Sequence, residues 1–537
     1  MQDIASPIKS SGAGPVSALV GRLRSVLPRL GNGSVGVVSG ILLVLSFPNF
    51  DLWPLAWLAL VPLFLVLGHH AKTGRAFLIG WIFGTVFFYG SCYWLTYSMI
   101  HFGGISPWLS FLLLLPGAVL LGLFPAISAA LVARAINRWG VAALFMAPII
   151  WSALEWARLQ TTGQLWNALG YSQAYHIGII QTARWGGVYV VGFLIVLTNA
   201  AIAFALVRRN LKALVTAAAG MLLVTTVLLV ANRISQSQTS LDEPQAGAVV
   251  VAIQPNVPMD LVKSNDDMRK LTARHFELSE SALRRLDRDG TPRLVIWPES
   301  PMNFAYGGDS QLRALLTNFA RTNQTSVLLN SQEVAPNNGI YNSAVLINEE
   351  GSLVAQYDKI RLLPFGEYVP LPEWVPGAGL IKGIVGDFTP GTNYRLMSVG
   401  DVRTGVFICI EAAYPSIAQS FTMQGADVLI NISNDGYLGP TAVMRQHLAN
   451  AAFRAAENGR PLLRVTNTGI TAFITPRGEV KDATQGFRPE VRIWRIARTH
   501  SPVTFYAAHG DLFAAGCAVL SLLIFLFSFR TQSLRQT

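Results

Sequence analysis

Charged residues are missing from long stretches of this chain. No Asp, Glu, Lys or Arg occurs from Leu30 to Phe50, Leu52 to Ala71, Ala76 to Ala133, Trp139 to Leu154, Trp185 to Val207 or Ala213 to Asn232, and a last such run covers Leu512 to Phe529. A bilayer core of about 30 Å takes roughly 20 helical residues with few charges, because the backbone must satisfy its own hydrogen bonds there. The 76–133 run is long enough for two crossings, and His101-Phe102-Gly103-Gly104 with Pro107 marks the turn, since Gly and Pro interrupt structure most strongly. The pattern predicts seven spans before residue 233 and one after 511. A single run would equally suit a buried core helix; eight together do not.

Past residue 234 the texture changes. Ser235-Gln236-Ser237-Gln238-Thr239-Ser240 reads as a polar linker, after which short Val/Ile-rich runs alternate with amphipathic ones. Strands are expected at 248–253, 294–297, 326–330, 342–348, 403–410, 427–432, 461–466 and 470–474, bounded by turn residues. Helices are expected at 267–288, 310–322 and 441–458, with Ala442, Met444, Leu448, Ala452 and Phe453 near one face of the last. The predicted organisation is a membrane domain over 1–233, one α/β domain over 234–508, and a C-terminal span with a tail over 509–537. Segment 364–390, dense in Pro and Gly and carrying Phe365, Tyr368, Trp374, Ile381 and Ile384, suits either a packed connection or an arm touching lipid.

Composition fits this division: 51% of the 537 residues are hydrophobic and 13% charged, against roughly 25% in soluble domains. Lys and Arg are retained on the cytoplasmic side of short loops. With the N-terminus inside, thirteen basic residues lie inside, while the short outer loops hold only Arg158 and Arg184. Both termini are then cytoplasmic and the α/β domain faces outward. Residues 233–511 hold 26 Lys and Arg against 27 Asp and Glu, so the net charge of +11 belongs to the membrane part and does not indicate a nucleic-acid partner. The first apolar run has no small-residue cleavage pattern and is expected to stay as an anchor. Cys92 and Cys517 fall within spans, leaving Cys409 as the one thiol of the outer domain.

Three segments of that domain share one design, an apolar strand ending in a reactive residue near a sharp turn. Leu294–Ser300 delivers Glu299, Tyr357–Pro364 delivers Lys359, and Gly405–Glu411 delivers Cys409. A thiol attacks only as thiolate and needs a base or a cation beside it, and Glu299 and Lys359 suit both roles. Each residue alone suits a structural part, as a turn carboxylate, a surface ammonium or a buried thiol. Their combination on strand ends of one domain resembles the nitrilase superfamily.

Further motifs extend the likeness, among them Asn431-Ile432-Ser433-Asn434-Asp435-Gly436-Tyr437, Gln446-His447, Arg454-Ala455, Glu457, Gly459–Arg464, Thr466–Ile470, Leu169–Gln173 and Pro364-Phe365-Gly366-Glu367. Nearly everything after residue 30 resembles the apolipoprotein N-acyltransferases of the bacterial inner membrane. The resemblance implies an αββα sandwich and acyl transfer from a phospholipid to the α-amino group of an apolipoprotein's diacylglyceryl-cysteine, without cofactor or metal. It implies Glu299 as proton acceptor, Cys409 as nucleophile, and Lys359 with the Ile410 backbone N–H as oxyanion donors. Glu367 is implied as a support for Lys359, and Glu411 matches the acidic residue two after the nucleophile, where an ordinary salt bridge is the other reading. Pro255, Ser264 and Ile410 depart from the family pattern and bear on how lipid is held. Competing readings are a membrane-tethered amidase using water, a non-catalytic glycolipid-assembly partner, and a papain-like pair of Cys409 with His447.

Overall fold

The computed structural model describes residues 32–69, 71–239, 247–259, 263–369, 387–499 and 501–529. The N-terminal expectation, the C-terminal tail and most of the 364–390 segment, residues 370–386, lie outside the described residues.

The first part is helical: α1 (Asn32–Leu45), a 3-10 turn (Trp53–Trp57), α2 (Val61–Gly68), α3 (Thr73–Ser91), α4 (Leu95–His101), α5 (Pro107–Leu121), α6 (Leu123–Trp139), α7 (Ala147–Thr162), α8 (Ile177–Ile180), α9 (Ala183–Arg208) and α10 (Leu211–Thr239). Among the described residues, four helical stretches have the length and apolarity to cross a bilayer, namely Pro107–Trp139, Val141–Thr162, Ala183–Arg208 and Leu211–Ser237. The α3–α4 pair makes a fifth if its 52° bend is one broken span. This is fewer than the eight spans expected from the charge-free runs, because a run does not measure a helix. In the 52–71 run, prolines start the 3-10 turn and α2 separately, leaving each short. The turn expected at 101–107 is present between α4 and α5. Small residues set the packing: a Cβ on Gly84 of α3 would lie 2.8 Å from the Gly122 Cα, so the two helices touch backbone to backbone there.

Two further expectations change. The supposed linker at Ser235–Thr239 continues α10, with Ser235 Oγ donating to Gln181 Oε1 at 2.5 Å. Arg158 and Arg184, expected in short outer loops, are both buried; Arg158 lies in α7 and donates to the Trp166 carbonyl at 2.8 Å.

The second part holds two six-stranded sheets. One runs β12-β1-β2-β3-β4-β5, with β1 (Ala248–Gln254), β2 (Arg293–Ile296), β3 (Ser326–Val334), β4 (Ile340–Ile347), β5 (Leu353–Asp358) and β12 (Glu490–Ile496). The other runs β11-β10-β9-β8-β7-β6, with β6 (Leu396–Val399), β7 (Val402–Ile408), β8 (Val428–Ser433), β9 (Leu462–Thr466), β10 (Ala472–Ile474) and β11 (Val480–Lys481). Period-2 alternation builds the layers. Val250, Ala252, Leu294, Ile296, Leu328, Ala344 and Leu346 share a core with the second sheet. Val251, Ile253, Val295, Val327, Leu329, Val345 and Ile347 pack under α11 (Asn265–Leu283) and α12 (Ser310–Asn323). With α13 (Pro415–Met423) and α14 (Val443–Asn458) against the second sheet, the result is an αββα sandwich.

Helix α14 joins the two parts. Leu448, Ala451, Ala452 and Ala455 belong to the sheet core, whereas Ala449, Phe453 and Ala456 belong to the core of the membrane helices. The single apolar face expected for 441–458 is thus two faces, and the helix is buried on both. The chain closes with α15 (Phe505–His509) and α16 (Leu512–Phe527).

His275 of α11 lies 5.0 Å, centroid to centroid, from Trp297, just ahead of Glu299. Burial pushes its imidazolium from 6.5 down to about 4. The unfolded chain therefore binds the extra proton between those values, and stability falls as pH drops through this window, by about 3 kcal/mol from this group. In detergent, the thermal midpoint should fall between pH 6.5 and 4, and less steeply in His275→Leu. Equal slopes would contradict this.

Candidate active site

Each reactive residue sits where a strand stops. Glu299 follows β2 through Trp297-Pro298, Lys359 follows β5 directly, and Cys409 follows β7. All three lie beyond C-terminal strand ends. Lys359 Nζ is 3.6 Å from Glu299 Oε1 and 2.9 Å from Glu367, and is 1% exposed. The Cys409 thiol stands within electrostatic reach of both Glu299 and Lys359.

Asn342, in β4, was not anticipated. Its Nδ2 donates to Glu299 Oε1 at 3.0 Å and to Glu367 Oε1 at 2.6 Å, tying the two carboxylates, and its carbonyl accepts from the Lys359 N–H at 2.8 Å. Glu367 Oε2 also accepts from the Leu363 N–H at 2.7 Å, fixing the loop that carries it. Gly391 closes against this strand end. Its N–H donates to the Lys359 carbonyl at 2.8 Å, and a Cβ there would overlap the Asp358 carbonyl.

Electrostatics follow from burial plus these neighbours. Burial pushes Glu299 above the usual carboxylate range; the Lys359 ammonium opposes this and Glu367 adds to it. Burial also pushes the Cys409 thiol up, reinforced by Glu299 and opposed by Lys359. For Lys359 burial works against the charge, but Glu367 and Glu299 outweigh it and its pKa is raised. At rest the site holds a neutral thiol beside Glu299, with a charged lysine alongside.

Among the described residues Glu411 forms no salt bridge, contrary to the simpler expectation. Its Oε1 accepts from the Tyr357 hydroxyl at 2.8 Å and from the Ile360 and Arg361 N–H groups at 2.8 and 3.0 Å, while Oε2 accepts from the Ile408 N–H at 2.7 Å. One carboxylate thus pins the loop after Lys359 to the strand end before Cys409. In Glu411→Gln, an amide NH2 replaces one accepting oxygen and faces N–H donors, a loss of about 2 kcal/mol in stability. The expected readout is a lower urea midpoint together with slower turnover; an unchanged midpoint would remove this role.

Cys409 has φ of +52°, a left-handed conformation that a non-glycine residue keeps only when its surroundings hold it. Its carbonyl accepts from His447 Nε2 at 2.9 Å and from Asn431 Nδ2 at 3.3 Å. His447 Nδ1 lies 2.9 Å from Asp435 Oδ1, and Arg464 binds Asp435 and the Asn431 side chain. Although burial disfavours the Asp435 charge, Arg464 and His447 hold its pKa down to about 2. Both His447 ring nitrogens are therefore engaged away from the thiol, which removes the papain-like pairing. The Asn431–Tyr437 and Gln446-His447 motifs converge behind Cys409.

Of the three departures, Ser264 caps α11, its Oγ accepting from the Asp267 N–H at 3.1 Å. The Pro255 carbonyl accepts from Arg274 at 3.3 Å. The Ile410 side chain is buried in the core between the sheets. None touches the Glu299, Lys359 or Cys409 side chains through a hydrogen bond among the described residues.

Tyr437, half exposed, stands within electrostatic reach of Glu299 and Glu367. Ser98 Oγ in α4 donates to its carbonyl at 2.6 Å, and the Phe102 ring lies 5.7 Å from its ring. The bent end of the α3–α4 pair therefore borders the site.

Residues 39–201 match the family model of the apolipoprotein N-acyltransferase N-terminal domain, and residues 264–499 match that of carbon-nitrogen hydrolase. An apolipoprotein N-acyltransferase from Geobacter metallireducens is 32% identical over 93% of this chain and 96% of its own length. One from Bradyrhizobium diazoefficiens is 30% identical over 91% and 94%. Among solved structures, a Saccharomyces cerevisiae member of branch 10 of the nitrilase superfamily is 18% identical, covering 50% of this chain and 96% of that one, with a TM-score of 0.38.

Proposed function

The chain belongs to the apolipoprotein N-acyltransferase family, and on that premise we propose that Cys409 carries the acyl group between a phospholipid and the α-amino group of an S-diacylglyceryl-cysteine. It is an acyltransferase of lipoprotein maturation. What supports the proposed chemistry most is the meeting of Glu299, Lys359 and Cys409 at strand ends beside a membrane helix.

Glu299 takes the Cys409 proton as sulfur attacks the ester carbonyl. The negative charge passes to the carbonyl oxygen, which Lys359 Nζ and the Ile410 N–H stabilise, each donor of this kind contributing about 3 kcal/mol. Collapse expels the lysophospholipid alkoxide, which takes the proton back from Glu299, and leaves a thioester. The neutral amine then attacks, Glu299 accepts its proton, and collapse returns that proton to the departing thiolate. Glu367 and Asn342 hold Lys359 and Glu299 in place, and Glu411 ties the two loops.

The apolar bundle suits this use, because each methylene of an acyl chain kept out of water contributes about 0.8 kcal/mol. We place the protein in the bacterial inner membrane with eight crossings, the short helices α1, α2 and α16 included, both termini cytoplasmic and the sandwich periplasmic. The proposed organisation is 1–233, 234–508 and 509–537, with α10 (Leu211–Thr239) crossing the first boundary. Incubating the protein with a phospholipid and a diacylated lipopeptide, then weighing both products, should yield lysophospholipid and triacylated peptide in equal amounts. Free fatty acid with unmodified peptide would instead mark a hydrolase.

A further inference from the structure

The peptide unit between Cys409 and Ile410 is planar and trans, so whatever holds the Cys409 carbonyl also sets where the Ile410 N–H points. That carbonyl points inward, to His447 Nε2 at 2.9 Å and Asn431 Nδ2 at 3.3 Å. A carbonyl only accepts, so in this bond His447 Nε2 is the donor. The neighbouring residue, Gln446, faces the membrane helices. Its Oε1 accepts from the indoles of Trp94 and Trp166, both at 3.0 Å, and its Nε2 donates to the Pro48 and Ser91 carbonyls at 3.1 and 3.0 Å. Trp166 also packs against the His447 ring, with centroids 5.5 Å apart. Two consecutive residues of α14 thus connect the membrane helices to the peptide behind the nucleophile.

We propose that His447 is a positioning residue that aims the Ile410 N–H at the oxyanion, and that Gln446 makes this setting depend on the packing of the membrane helices. The inference rests on Cys409 being the nucleophile. Without the His447 bond a left-handed Cys409 loses its nearer carbonyl donor, and the 409–410 peptide is free to turn its N–H away. The lost donor is one used in the transition state, so the defect belongs in the rate constant of acylation and not in phospholipid affinity.

The test uses two amides in the full-length protein. In His447→Gln the amide reaches the place of Nε2 and still donates to the Cys409 carbonyl; in His447→Asn it reaches only the place of Nδ1. Single-turnover acylation of Cys409 by phospholipid, followed by intact mass, should slow about 100-fold in H447N with KM within about threefold of the parent, and H447Q should recover to within about tenfold. Gln446→Leu should slow the same step, and adding it to H447N should cost less than the product of the separate effects. Equal rates in H447N and the parent, equal losses in H447N and H447Q, or a loss confined to KM would overturn the positioning role. Full multiplicativity in the double variant would sever the link to the membrane helices. Failure of the parent itself to gain acyl mass on Cys409 would instead overturn the nucleophile assignment, a distinct result.

Discussion

Glu299→Gln should lower the rate of Cys409 acylation about 1,000-fold while leaving the protein folded. Glutamine keeps the shape and can still accept from Asn342 Nδ2, which donates to Glu299 Oε1 at 3.0 Å. It cannot take a proton, and the thiol it faces is held well above its ordinary pKa by burial. The same reasoning fixes the pH dependence. Glu299 must be a carboxylate to act as base, and burial raises its pKa above 4.5. Acylation should therefore fall as pH drops, with the midpoint of the acid limb above 4.5, and this limb should vanish in E299Q. Retention of full activity in E299Q would point to another base.

Lys359→Met should be nearly as damaging, by about 100- to 1,000-fold, because in the proposed mechanism it removes an oxyanion donor from a buried site. A second consequence separates this from simple misfolding. The Lys359 ammonium lowers the Glu299 pKa, while Glu367 raises it. Removing the ammonium leaves two carboxylates bridged by Asn342 without a counter-charge, so residual activity in K359M should titrate at higher pH than the parent. Glu367→Gln should shift the limb the other way. An acid limb in K359M at the parent's position would show that Lys359 does not govern the base.

Much of this site was legible in the sequence because strand ends are. Glu299 and Cys409 each close an apolar run, and such a run delivers its last residue to the rim of a sheet; Lys359 instead follows Asp358 at the end of β5. Asn342 was hidden for the opposite reason: within Ile340–Ile347 it reads as an ordinary polar strand position, and only the fold puts β4 between the strands bearing Glu299 and Lys359. Glu411 looked like half of a salt bridge, since sequence cannot reveal that its partners are backbone N–H groups. Strands β5 and β12 went unseen because Gln356, Asp358, Arg492 and Arg495 dilute their apolar pattern. In the membrane part, charge-free runs do not mark where helices begin and end. Helix α7 runs straight through Glu155 and Arg158, which are buried and find partners at the Leu169 N–H and the Trp166 carbonyl.

The two-faced burial of α14 has a practical corollary. Phe453 and Ala456 sit among membrane helices while Leu448 and Ala455 sit against the sheet, so the sandwich depends on the bundle for one of its walls. Assays on the intact chain in detergent or nanodiscs are therefore the appropriate ones.

The most direct check is to incubate the purified protein with a phospholipid of defined acyl chains and no amine acceptor, then map the added mass by peptide. One acyl group on Cys409, discharged when a diacylated lipopeptide is supplied, is the expected finding. Lysophospholipid released with no adduct on Cys409, or an adduct that persists after lipopeptide is added, would contradict the thioester route.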